Sequence, residues 1–211
     1  MGRQDAIVPA TRAQQTKKER EVLSVASEYF LSHGYKGTSI NAMARDSGIS
    51  KESIYRYFSS KKELFQAVIA KELRDYRKRL DFLNFEFDSI SLEAALQQVA
   101  ESILQAVSGN RVLAFRRVVF HEAVQTPEIG AIYYETGPQQ AYDYLAKVFT
   151  AHHSDSDFEP MKLAHYFVAM NLHRLMLARE CNVIKAPSRT EIRRHGKEVT
   201  ADFLQVFFRN H

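Results

Sequence analysis

An all-α protein is predicted, and three observations carry the expectation. Runs with strict apolar alternation are scarce. Apolar residues recur at spacings of three and four along most of the chain. Serine or threonine caps and glycine or proline stops then divide that pattern into segments of helical length. With 211 residues, 45% hydrophobic and 26% charged, the chain allows one large or two small domains around an ample core, as in an ordinary globular protein. No stretch approaches 18 apolar residues and MGRQDAIVPATRAQQ has no apolar run, so a soluble intracellular protein is expected. The single cysteine, Cys181, excludes an intrachain disulfide framework and reads as a packing residue.

Residues 1–16 are polar, hold Pro9 and lack periodicity, which reads as a disordered basic arm. A plain solvated tail is one reading of it. In the other, Arg3, Arg12, Lys17 and Lys18 reach a polyanion. From Lys17 to His33 the set Val22, Ala26, Tyr29 and Phe30 gives a first helix. Gly34 and Gly37 punctuate its end, and Thr38 or Ser39 caps a second helix with Ile40, Met43 and Ala44 inward. Gly48 ends that helix, Ile49 plugs the turn, and Ser50 caps a third helix, Lys51 to Phe58, with Ile54 and Phe58 inward. Lys51, Ser53, Tyr55, Arg56 and Tyr57 face outward. Two short helices across a tight turn, the second one basic and rich in donors, make a helix-turn-helix whose last element fits a major groove. Ser60 and Glu63 read as a capping box for a long helix running towards Leu83 on Leu64, Val68, Ile69, Leu73, Tyr76 and Leu80. Lys61, at its positive N-terminal end, is placed for a phosphate.

Beyond NFEFDS a second set of helices begins. Ser91 caps one that ends near Gly109, and another spans Arg111 to Val124. Thr126 and Pro127 open a short helix, which Gly137 and Pro138 interrupt and restart to about His152. One follows from Phe158 to Cys181. Ser188 and Glu191 form a capping box for the last, which ends near Phe208. Nine or ten helices are therefore expected.

The charge is uneven. Residues 1–80 carry 16 Lys and Arg against 9 Asp and Glu, a balance of +7; the remainder stands at −3, giving +4 for the whole chain. Only the first part is suited to meet a polyanion.

The run GYKGTSINAMARDSGISKESIYRYFSSKKEL resembles the AcrR-like helix-turn-helix domain of the TetR family of bacterial transcriptional regulators, over about Lys17 to Ile69. Met43, Ser47 and Glu52 depart from the family's commonest pattern, and Glu52 brings a carboxylate near the groove. The resemblance implies double-stranded operator DNA as partner, with contacts from Thr38, Ser39, Ser50, Lys51, Glu52, Ser53, Tyr55, Arg56, Tyr57 and Lys61. It implies a repressor, cytoplasmic and homodimeric, released by a small hydrophobic inducer. The segment FRRVVFHEAVQTPEIGAIYYETGP is similar to a C-terminal domain of some of these regulators. The expected divisions are 1–16, the arm; 17–64, the helix-turn-helix domain; 65–84, a linking helix; and 85–211, a helical bundle for ligand binding and dimerisation.

Aromatic walls with a few polar groups are what a hydrophobic ligand needs. The candidates are Phe115, Arg116, Phe120, His121, Tyr134, Tyr142, Tyr166 and Asn171, although aromatics at helical spacing also fill plain cores. The last two helices are the candidate dimer seam through Leu172, Leu175, Met176, Ile192, Val199 and Phe203. His152, His153, Asp155 and Asp157 lack metal-ligand spacing, and no phosphate loop, nucleophile elbow or H-E-x-x-H is present. No enzyme activity, cofactor or metal is expected. The alternative is a helical ligand-binding or enzymatic protein with a vestigial helix-turn-helix.

Overall fold

The computed structural model describes residues 17–78, 87, 89–152 and 158–208, apart from the side chain at 77. The expected arm, the continuation of the long helix to 83, and His153, Asp155 and Asp157 lie outside the described residues. Among those described there are ten helices and no strand: α1 (Lys17–Gly37), α2 (Ile40–Ser47), α3 (Lys51–Tyr57), α4 (Lys61–Lys78), α5 (Leu92–Val107), α6 (Asn110–Ala123), α7 (Pro127–Thr136), α8 (Pro138–Ala151), α9 (Pro160–Glu180) and α10 (Arg189–Phe207). None of the described helices is long and apolar enough to cross a membrane.

Contacts divide the chain into two units. The first runs through Asp75 and also takes Ala114–Tyr133; the second is Tyr76–Leu113 with Tyr134–His211. The expected cut after the long helix is therefore not where the contacts fall. In the first unit Val22, Phe30, Met43, Ile54, Phe58, Leu64 and Val68 share one core with Phe115, Val118, Val119, Ile129 and Tyr133. Short helices such as α2 and α3 have too little apolar surface to cover α1 and α4 alone, so parts of α6 and α7 complete the cover. Inside this unit the buried carboxylate of Glu72 accepts a 2.5 Å hydrogen bond from Ser27 Oγ and lies 3.2 Å from Lys71 Nζ, tying α4 to α1.

The second unit packs α8 against α9, and α10 against α5 and α9. Leu96, Val99, Ile103, Leu145, Phe149, Leu163, Phe167 and Phe203 form its centre. Its helix ends follow local chemistry. Ser91 accepts from Ala94 N–H, and the Ser188–Glu191 capping box is present in full. Those Ser188 hydrogen bonds hold the Glu191 carboxyl below its ordinary value. α9 begins at Pro160 and not at Phe158: proline has no N–H to leave unsatisfied at the first helical position, and it forces Glu159 before it into an extended conformation. His152 closes α8, with ring nitrogens 2.9 Å from Val148 O and 3.0 Å from Ile90 O.

Candidate nucleic-acid interface

The reading head is built by backbone punctuation. Gly34 (φ 67°) breaks α1 before its last turn, and Gly48 (φ 71°) ends α2; both are left-handed conformations that a Cβ disfavours. Between them the Thr38 hydroxyl donates to Gly34 O at 2.8 Å, and its residue is only 3% exposed. Thr38 thus closes the turn and is not offered to DNA, while Ser39 caps α2 by accepting from Ala42 N–H. The two adjacent hydroxyls divide the work.

Ser50 caps α3 by accepting from Ser53 N–H at 3.1 Å. Ile54 and Phe58 anchor that helix in the core, which leaves Lys51, Glu52, Tyr55 and Arg56 exposed and Ser53 and Tyr57 half-buried. The basic groups are not splayed at random. Lys51 Nζ lies 5.9 Å from the Tyr55 ring centroid, the Arg56 guanidinium 5.4 Å from that of Tyr57, and Lys61 Nζ 4.6 Å from that of Tyr35. Arg56 Nη2 also donates to Ser53 Oγ at 3.3 Å. At the start of α4, Ser60 Oγ accepts from Glu63 N–H, but the Glu63 carboxylate reaches back past Ser60 to the N–H and hydroxyl of Ser59, at 2.7 and 2.6 Å. The expected capping box is therefore displaced by one residue.

Two contacts of this head were not legible in the spacing. Tyr29, read as an apolar residue of α1, donates its hydroxyl to Asp46 at 2.6 Å, and Arg45 Nε meets the other oxygen of that carboxylate at 2.9 Å. The hydrogen bonds from Tyr29, then Arg45, hold the Asp46 carboxyl below its usual range, and the hydrogen bond to Asp46 pushes the Tyr29 phenol up. The other is the contact of Lys61 with the Tyr35 ring, which joins residues 26 positions apart.

The expected pocket residues are distributed over both units. In the first, Phe115 is core, 6.0 Å from Tyr133, while Phe120 and His121 are exposed and Arg116 lies over the Phe120 ring at 5.4 Å. In the second, Asn171 is buried and donates to Ala100 O at 3.1 Å, and Tyr166 stacks on Phe207. Tyr142 sits 6.4 Å from Tyr134 and 4.6 Å from His165, and burial pushes its phenol up. Of the expected dimer seam, Met176, Ile192, Val199 and Phe203 are buried within their own chain and are not available to a partner. Leu172 and Leu175 are half-buried. The outward side of α9 carries Tyr166, Met170, His173 and Leu177 instead.

Comparison with known proteins fits this head. Residues 22–68 match the family described as bacterial regulatory proteins, tetR family, and residues 94–208 match the AefR-like transcriptional repressor C-terminal domain. The transcriptional regulator SrpR of Pseudomonas putida is 24% identical over 114 residues, 54% of this chain and 51% of that protein. UidR of Escherichia coli K12 is 26% identical over 122 residues, 58% and 59% of the two chains. The chain thus matches about half the length of these curated relatives. A TetR-family regulator structure from Mesorhizobium loti aligns over 92% of this chain and all of its own, with a TM-score of 0.75 and 25% identity. The flavonoid-responsive regulator FrrA aligns over 92% and 99% with a TM-score of 0.70 and 24% identity. With one family matched across the reading head and the other across more than half of the chain, this protein belongs to the TetR family and is a DNA-binding transcriptional regulator.

Proposed function

We propose that the protein is a cytoplasmic, homodimeric repressor that leaves its operator when a small, largely apolar ligand binds the second unit. The observation that carries the reading is α3: a capped helix, anchored by Ile54 and Phe58, that offers Lys51, Glu52, Tyr55 and Arg56 to solvent. Two such helices in a dimer meet half-sites a fixed number of turns apart, so a small change in their separation costs specific binding. The C-terminal match to a repressor family supports the sign of regulation. A neighbouring fold from Saccharomonospora viridis holds choline, and FrrA responds to flavonoids; both support a ligand for this chain without identifying it. Three helices provide the route, since α4, α6 and α7 each contribute residues to both units. A ligand acts on DNA only by its difference in affinity for two dimer geometries, commonly about 1–3 kcal/mol of coupling.

The direct experiment is retardation of the DNA upstream of the protein's own gene, repeated with a panel of apolar and aromatic compounds. Specific retardation that a compound reverses supports the reading. No specific retardation would leave a helical ligand-binding protein whose helix-turn-helix is vestigial.

Lys51 opens α3, where side chains meet base edges. Lys51→Ala is expected to lose ~1–3 kcal/mol on the operator and to relax preference at one position in each half-site. A uniform loss on all sequences would reassign it to the backbone. Lys61→Ala is expected to weaken operator and random DNA alike and to lower the slope of log affinity against log salt by about 0.9 per protomer. An unchanged slope would remove Lys61 from the phosphates.

A further inference from the structure

Lys61 occupies an awkward place. It is the first residue of α4, where the helix dipole presents partial positive charge and disfavours an ammonium group. The carboxylate nearest in sequence, Glu63, accepts from Ser59. The ammonium rests instead 4.6 Å from the centroid of the Tyr35 ring, within the range of cation–π attraction. Tyr35 is itself fixed. Its ring packs 4.9 Å from Phe65 and 6.2 Å from Phe30, and those two rings meet edge-to-face at 4.9 Å. Of the three basic groups over tyrosines in the helix-turn-helix unit, Lys51 and Arg56 lie on rings of their own short helix. The Tyr35–Lys61 pair alone among them joins two elements, the end of α1 and the start of α4.

We infer that Tyr35 is a positioning residue for DNA binding: it holds the Lys61 ammonium at the α4 N-terminus so that its remaining N–H groups meet a backbone phosphate without first ordering the side chain. A lysine has four rotatable bonds, and fixing it on contact with DNA costs affinity. The ring removes part of that cost in advance. An ammonium has three donors, so one side faces the ring while the others stay open to phosphate oxygens. The inference rests on the placement of Lys61 at the DNA backbone.

The test is fluorescence anisotropy on a labelled mixed-sequence duplex of about 30 base pairs, long enough for two half-sites. It uses the full chain, with far-UV circular dichroism to confirm each variant's fold. Tyr35→Phe keeps the ring and is expected to bind as wild type. Tyr35→Leu keeps apolar packing but loses the π face, and is expected to bind about threefold more weakly. In a Lys61→Ala background, Tyr35→Leu should cause no further loss. A loss that persists without Lys61, or no loss from Tyr35→Leu, overturns the inference while leaving Lys61 at the phosphate. An unchanged affinity and salt slope in Lys61→Ala itself overturns both. The DNA-free protein provides a second arm that does not depend on Tyr35→Leu folding. The Lys61 ε-methylene signal, assigned by its absence in Lys61→Arg, should be shifted upfield by the Tyr35 ring current. A Lys61 signal at the position of the other lysines overturns the inference.

Discussion

Met170→Glu combined with Leu177→Glu is expected to yield a folded monomer that binds operator DNA about 100-fold or more weakly than the native chain. Met170 is 38% and Leu177 56% exposed, and with Tyr166 and His173 they follow helical spacing along one side of α9. Elsewhere on the helix the residues are packed: Leu163, Ala164, Phe167, Val168 and Met176 lie in the core of the second unit. An apolar stripe left on a helix whose other face is already packed is what a second copy would cover. Carboxylates placed there must be desolvated on association, and two facing sets repel. A monomer holds one half-site and forfeits the avidity of linked modules, which is on the order of 100- to 10,000-fold. Light scattering after gel filtration would give the mass, and anisotropy on the mapped operator the affinity. A double variant that remains dimeric would remove this face of α9 from the interface.

Phe203→Ala is expected to destabilise the protein by about 3–5 kcal/mol, the range for removing a large ring from a close-packed core. The side chain is 0% exposed. Phe207, Phe167 and Phe149 surround it, with ring centroids at 4.7, 5.0 and 5.6 Å. Each comes from a different part of the fold: α10 itself, α9 and α8. The cavity left by alanine therefore cannot be closed by shifting one element. Urea unfolding at fixed protein concentration would measure the change, with Phe203→Leu as the milder comparison. A loss below about 1 kcal/mol would mean that the surrounding rings collapse into the gap and that the cluster is loosely packed.

What was legible in the sequence was mostly local. Ser39, Gly48 and Ser50 act through atoms a few residues away, so their spacing alone locates α2 and α3. The Ser188–Glu191 box is legible for the same reason. Where two local candidates compete, spacing does not decide. Thr38 and Ser39 are equally good caps, and the turn's need to satisfy Gly34 O selects Ser39 for α2. Glu63 likewise chose Ser59 over Ser60. Periodicity finds an apolar face but not the surface that covers it. That is why Met176, Val199 and Phe203 read as a seam and lie in their own core, and why α6 read as part of the second unit although Phe115, Val118 and Val119 belong to the first. The aromatic excess of the middle helices does not by itself separate core from surface, by the same logic: Phe115 packs inward while Phe120, five residues on, is exposed.

The sharing of α6 and α7 between the units also dictates an order of events at the ribosome. The helix-turn-helix emerges first, yet its core lacks Phe115, Val118, Val119, Ile129 and Tyr133 until the chain has been made through residue 133. At ordinary elongation rates the 58 residues that follow Asp75 take about 3–12 s to add. During that interval the apolar sides of α1 and α4 have only α2 and α3 as cover, and the core of the helix-turn-helix is completed by the segment that follows it. Premature termination anywhere between residues 76 and 113 would leave all of α2 and α3 present on a domain that lacks part of its core. Truncated products of this gene should accordingly be cleared or aggregate instead of competing with the intact regulator for its operator.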